Sequence, residues 1–252
     1  MTKIFSSPGD EDAPSIDPDA VAEFFRARAG RIGEIGPNKA VIYQDKQGDL
    51  AERRDLVEAE CILPHLILNG YQRLLDVGCG TGRWTGRVAP HVAAYHGIDF
   101  NKGFLAHARE TYAALSHCRF SLVAADAMSP ETIGESGFDR ILCSGVSIYL
   151  NDTQLKKMFF GIASVAAPSC RIIFREPVGL FKRLTLSRHY SDELEHEYHA
   201  IYRTEDEMRE AMRKPLLAEG FSFLESGDVY LVPDLNNRFE TKQRWLVLER
   251  QE

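Results

Sequence analysis

Apolar positions recur along this chain in two rhythms. Asp17-Pro18 opens a helix, because Asp accepts backbone N–H bonds at a cap and Pro suits the first helical position. Val21, Phe24, Phe25 and Ala29 then fall on one face, and Gly30 stops it. A second helix is predicted over residues 50–61, with Leu50, Leu56 and Val57 among its apolar contacts; Pro64 ends or kinks it before residues 65–68 continue to Gly70. From there short apolar runs predict strands at residues 74–77, 93–99, 118–125, 138–144 and 171–176, the last broken by Pro177. Between them lie helical stretches. Asn101 caps one that runs through His117, Asn151 with Gln154 reads as a capping box, and Thr204 with Glu207 opens another that Gly220 ends. Strands at 221–232 and 243–249, joined by residues 233–238, close the chain. Repeated strand–helix units with a terminal hairpin predict an α/β fold: a parallel sheet covered by helices on both faces, with an antiparallel last strand.

The domain plan follows. Residues 1–16 are polar and carry Pro8, Pro14 and several acids, so they read as a flexible tail. Residues 17–70 form an N-terminal helical cap, and residues 71–252 the sheet domain, with residues 177–203 inserted after the fifth strand. A chain of 252 residues, 44% apolar, builds one sizeable core. Its balance of 30 basic to 37 acidic residues, with no basic cluster, argues against nucleic acid as a partner. No apolar run approaches membrane-spanning length, and the start is acidic and unlike a signal peptide, so no membrane partner is expected. The cysteines, Cys61, Cys79, Cys118, Cys143 and Cys170, are scattered and lack a Cys-x-x-Cys pair. They read as reduced thiols of a cytoplasmic protein, monomeric or homodimeric.

The chemistry begins at Leu74-Leu75-Asp76-Val77-Gly78-Cys79-Gly80-Thr81-Gly82-Arg83. A strand ends in a carboxylate and enters a turn whose glycines permit positive φ and close approach of backbone to a ligand. A dinucleotide fingerprint wants its third glycine one place later, at Arg83. The pattern instead resembles the first motif of class I S-adenosylmethionine (SAM) dependent methyltransferases of the small-molecule type. Asp99 after the second strand, Asp126 after the third and the terminal hairpin occur in the order that family shows. The resemblance covers residues 72–176 well and the hairpin more loosely. It implies a Rossmann-like sheet of seven strands, the last antiparallel, and SAM as cofactor. Gly78 and Gly80 would approach the methionyl part, with Cys79 contributing backbone. Asp76 would meet the ammonium, Asp99 the ribose hydroxyls, and Asp126 with Ala127 the adenine; Phe100 and Ser144 complete the set. In the cap, Tyr43 and Arg54 are candidates to close over the methionyl end, since an Arg fork suits a carboxylate.

The acceptor is a small molecule on this reading, methylated on N or O and amino-acid-like or a secondary metabolite. An alternative is intramolecular displacement in the methionyl chain, giving a cyclic amino acid and methylthioadenosine. After strand four stands Ser144-Gly145-Val146-Ser147, not the Asn/Asp-Pro-Pro-Tyr of DNA and protein-amide enzymes. Glu176 stands alone at the end of strand five, and the spacing of Glu195, His196, Glu197 and His199 matches no standard ligand set, so no metal is expected. The insertion reads as a substrate lid. Tyr198 and Tyr202 share a helical face at i, i+4, as do Glu195 and His199. Tyr190, Tyr198, His199 and Tyr202 are the candidates to enclose the sulfonium and handle a proton.

Overall fold

The structure is a computed structural model and describes residues 3–7, 10, 13–42, 49–191, 196–236 and 238–251. A short strand β1 (Lys3–Ser6) precedes four cap helices: α1 (Pro18–Gly30), α2 (Ile32–Ile35), α3 (Pro37–Val41) and α4 (Leu50–Leu66). The Asp17 carboxylate accepts from the N–H groups of Asp19 and Ala20, so the cap predicted for α1 is made, and Val21, Phe24 and Phe25 are its buried face. Pro64 does not end α4. It stands in the last turn, so the bond it cannot donate and the crowding of its ring disturb only the helix end, and the chain leaves through Ile67 at φ 49°.

After the cap come β2 (Arg73–Val77), α5 (Thr85–Val88), β3 (Ala94–Asp99), α6 (Lys102–Thr111), β4 (Cys118–Leu122), α7 (Pro130–Ile133), β5 (Phe138–Ser144), α8 (Asp152–Val165) and β6 (Ala166–Gly179). The chain closes with β7 (Arg183–Ser191), β8 (His196–Tyr202), α9 (Glu205–Arg213), β9 (Ser222–Asp228) and β10 (Thr241–Arg250). Seven strands form one sheet in the order β4-β3-β2-β5-β6-β10-β9, parallel from β4 to β6, with β10 antiparallel to both neighbours. This is the Rossmann-like methyltransferase sheet expected. Ile141 and Leu142 are neighbours in sequence, point to opposite faces, and are both fully buried. One face packs Ile141, Phe159 and Phe174 with α8; the other packs Ile62, Leu74 and Leu142 with α4.

Four further expectations change. The helix capped by Asn101, whose side chain accepts from Gly103 and Phe104 N–H, ends at Thr111 rather than His117. Pro177 does not break β6. It lies two residues beyond Arg175, the last position paired with β5, so its missing N–H falls where that neighbour has already ended. The insertion is not helical: β7 and β8 form an antiparallel hairpin. Finally, part of the expected flexible tail is held. Residues 3–6 pair with β7, and Ile16 is buried, its N–H and C=O both bonded by the Asn151 amide at 2.9 Å.

Candidate active site

The order of the sheet places a crevice where the chain leaves β2 for β3 on one side and returns as β5 on the other, at the carboxyl ends of those strands. A cavity of about 290 Å³ lies there, near the lower end of the ~300–1,000 Å³ usual for small-molecule sites. Its floor is the glycine turn. Gly78 and Cys79 N–H both bond Ile98 C=O, at 2.8 and 2.9 Å, which staples the turn to β3. Gly78 and Gly80 have φ of 73° and 56°. A Cβ at Gly78 would collide with Val146, and one at Gly80 would stand 2.8 Å from Val41 Cγ1. The cradle therefore needs glycine for space as well as conformation. Cys79 turns its sulfur toward Gly97, and burial, with Asp76 and Asp99 nearby, pushes its thiol well up, so it is no nucleophile.

Asp99 ends β3 at the cavity wall. Its carboxylate accepts Gly80 N–H at 3.0 Å and Asn101 N–H at 2.7 Å, which leaves lone pairs for a ligand's hydroxyls. Burial raises its pKa to about 6 against those bonds. Phe100, Val123, Ala124, Ala125 and Asp126 continue the wall. Gln154 sets Asp126: its Oε1 accepts Asn151 N–H at 3.2 Å, as the predicted capping box requires, while its Nε2 donates to Asp126 Oδ2 at 3.1 Å.

Another part of the wall is cationic. Arg54, Arg83 and Arg175 line it with Glu58. Glu58 on α4 is fully buried, accepting from Arg83 Nη1 at 2.8 Å and from Arg175 Nη2 and the Tyr230 hydroxyl. Arg83 also reaches Asp55 and Ser144 Oγ, each at 3.1 Å, and Arg54 Nε donates to Leu235 C=O at 2.8 Å. Trp84, Arg175 and Gln243 line the cavity as well. Guanidinium groups beside a carboxylate suit a zwitterionic amino-acid group.

Of the residues singled out from the sequence, Arg54, Gly78, Cys79, Gly80, Asp99, Phe100, Asp126, Ser144, Tyr198 and Tyr202 line the cavity. Asp76 and Ala127 are not in its lining, and Tyr43 lies outside the described residues. Asp76 is buried behind the wall and accepts the Tyr95 hydroxyl at 2.6 Å. Tyr190 and His199 are not in the cavity's lining either. On a strand alternate side chains face opposite ways, so Tyr198 and Tyr202 turn into the cavity and His199 turns out of it, its Nε2 3.9 Å from Glu197. Tyr190, 57% exposed, stands on β7 clear of the cavity. Sequence reasoning passed over Glu58, Arg83, Tyr149, Arg175 and Gln243. Arg83 stood in plain view, beside the third glycine of the turn.

Burial of Asp76 raises its pKa to about 7, from an ordinary 3.8. In that window the unfolded chain gives up this proton more readily than the folded one, so Asp76 makes the protein less stable as pH rises from about 4 to 7. Asp99 acts in the same direction up to about 6. His96 and His199, whose pKa values burial lowers, act oppositely, so the difference between variants isolates the effect. Asp76→Asn keeps an acceptor for Tyr95 and removes the ionisation. Urea unfolding should show the variant gaining on the parent through that window, and a variant that loses ground at neutral pH would contradict the assignment.

Residues 74–169 match the family model described as a methyltransferase domain. That match and the solved structures of the same fold are those of the class I, SAM-dependent methyltransferase family. SAM is the cofactor of that family. A search of curated proteins found no match. Among solved structures, a SAM-dependent methyltransferase from Leishmania major is 19% identical, with a TM-score of 0.65 over 92% of this chain and 82% of that one. Phosphoethanolamine N-methyltransferase 1 of Haemonchus contortus, solved with phosphoethanolamine and S-adenosylhomocysteine (SAH), is 15% identical with a TM-score of 0.69 over 94% of this chain and 50% of that one. Magnesium protoporphyrin IX methyltransferase of Synechocystis, with bound SAM, is 20% identical with a TM-score of 0.58 over 95% and 100%. At these identities the likeness is one of fold. Among the described residues, no helix is long and apolar enough to cross a membrane, and no three His, Cys, Asp or Glu side chains gather as metal ligands.

Proposed function

We propose that this protein transfers a methyl group from SAM to a nitrogen or oxygen of a small molecule. The observation that carries the reading is the polarity of the cavity. One wall offers a carboxylate with spare lone pairs, another part offers arginines, and a glycine cradle lies between them. That sequence of groups matches a ribose diol, a sulfonium-bearing chain and an amino-acid terminus in order. Asp99 would take the ribose hydroxyls, Ala124 to Asp126 the adenine, and Arg54 and Arg83 the carboxylate.

SAM supplies an electrophilic methyl on a sulfonium when bound. The chain's part is to orient and to exclude water. Thr81 Oγ1 bonds Pro37 C=O at 3.3 Å and Arg28 Nε bonds Ala40 C=O at 2.8 Å, which hold α3 down over the glycine turn. α1 and β8 close the remaining side with Val21, Phe25, Tyr198 and Tyr202. Positive charge disperses on the way to the transition state, so alignment in a dry site supplies much of the rate. The five free cysteines suit a reducing, cytoplasmic setting.

Incubation with SAM and a panel of small amines, alcohols and phenols should release SAH in step with a methylated acceptor. Release of methylthioadenosine would point to displacement within the methionyl chain, and SAM binding without either product would reduce the protein to a binder.

A further inference from the structure

Three phenol hydroxyls meet at the wall of the cavity. Tyr149 and Tyr198 approach to 3.2 Å, and Tyr198 and Tyr202 to 3.4 Å. All three line the cavity. Tyr149 closes the helical turn Ser147–Tyr149, which follows directly on Val146, the residue in contact with the glycine cradle. The trio thus stands within one turn of the floor on which the methionyl chain would lie.

Counting donors and acceptors defines what the trio wants. Each hydroxyl has one proton and two lone pairs. A chain of three spends two protons and two lone pairs on itself. Its ends, Tyr149 and Tyr202, are left richer in lone pairs than in protons. The O···O separations exceed the ~2.7–2.8 Å usual for such bonds, so the hydroxyls turn readily to a ligand. Phe25 packs edge-to-face on Tyr149 at 4.8 Å and on Phe100 at 5.8 Å, and Phe104 completes an aromatic enclosure. Aromatic faces attract positive charge. Burial also pushes the phenols of Tyr149 and Tyr198 far up, so they stay neutral.

Among the described residues, no unengaged base lines the cavity. The carboxylates lining the described cavity are Glu58, held by Arg83 and Arg175; Asp99, held by Gly80 and Asn101; and Asp126, held by Gln154. No histidine among the described residues lines it. An alcohol must lose its proton as it is methylated; a neutral amine need not. We propose that the tyrosine wall of the cavity binds a primary or secondary amine, making the enzyme an N-methyltransferase. This rests on the SAM reading above. In the step, the amine lone pair forms the N–C bond as the C–S bond breaks and its electron pair stays on sulfur. Sulfur becomes a neutral thioether, nitrogen takes the positive charge within the aromatic enclosure, and an N–H proton then passes to water.

The test uses the SAH-loaded full chain with benzylamine, benzyl alcohol and benzoate as probes, near the pKa of the amine. Calorimetry should show benzylamine bound at least about tenfold more tightly than the other two. Tyr149→Phe and Tyr202→Phe should each weaken the amine by roughly three- to tenfold while SAH affinity and binding of the alcohol hold. Equal or better binding of the alcohol or carboxylate, equal losses for amine and alcohol in the variants, or no saturable binding of the amine within its solubility would overturn the proposal. Failure to bind SAH at all would instead sink the cofactor reading.

Discussion

Replacing Glu58 by alanine should cost about 3–5 kcal/mol of stability, the usual loss when one partner of a buried ion pair is removed. Glu58 has no exposed surface and lies on α4, outside the sheet. Its carboxylate gathers Arg83 from the glycine turn, Arg175 from β6 and the hydroxyl of Tyr230. Without it, Arg83 keeps Asp55 and Ser144, but Arg175 loses its bonded counter-charge in a site where burial already lowers its pKa. A guanidinium stranded there forces either desolvation or rearrangement of the cap. Urea unfolding is the measurement, with the m-value as a check that compactness is unchanged. Glu58→Gln, which keeps shape and one acceptor, should lose less. A loss under about 1 kcal/mol for the alanine variant would mean that packing alone holds α4 to the sheet.

Asp99→Ala should lower affinity for SAH at least about tenfold, or about 1.5–3 kcal/mol, the worth of hydrogen bonds to a charged group. The residue does two things at once. It offers lone pairs at the cavity wall, and it holds Gly80 and Asn101 N–H, so its loss both strips the diol of its partner and loosens the cradle. Asp99→Asn separates the two, since the amide oxygen can still satisfy one N–H. Calorimetry on the folded variants reads the effect. Unchanged affinity would move the ribose elsewhere, and the order of groups along the cavity would fall with it.

The locally encoded features were legible from residues alone. Asp17 and Asn101 cap their helices, Thr204 with Glu207 forms the predicted box, and the glycine turn ends β2 where the apolar run ends. Each depends on groups only a few residues apart, so composition and spacing suffice. Alternation of strands and helices likewise implied a parallel sheet with a reversed last strand, because a crossover helix allows little else. The insertion was misread because i, i+4 is a shared face in both regular structures: four is one helical turn and also an even step along a strand. Tyr198 and Tyr202 therefore stayed together when helix became strand, while His199 changed sides.

What joins distant residues was beyond such reading. Glu58 meets partners 25, 117 and 172 positions away, and Lys3–Ser6 finds its strand at residues 183–186. Pro177 looked like a stop because a lone strand gives no hint that its neighbour on that side has already ended. The sequence by itself determined the sheet, the cradle and the carboxylate at the end of β3, all set by neighbours along the chain. The charged network and the tyrosine cluster of the cavity wall were decided only by tertiary structure, because burial and close approach of remote side chains are what make them.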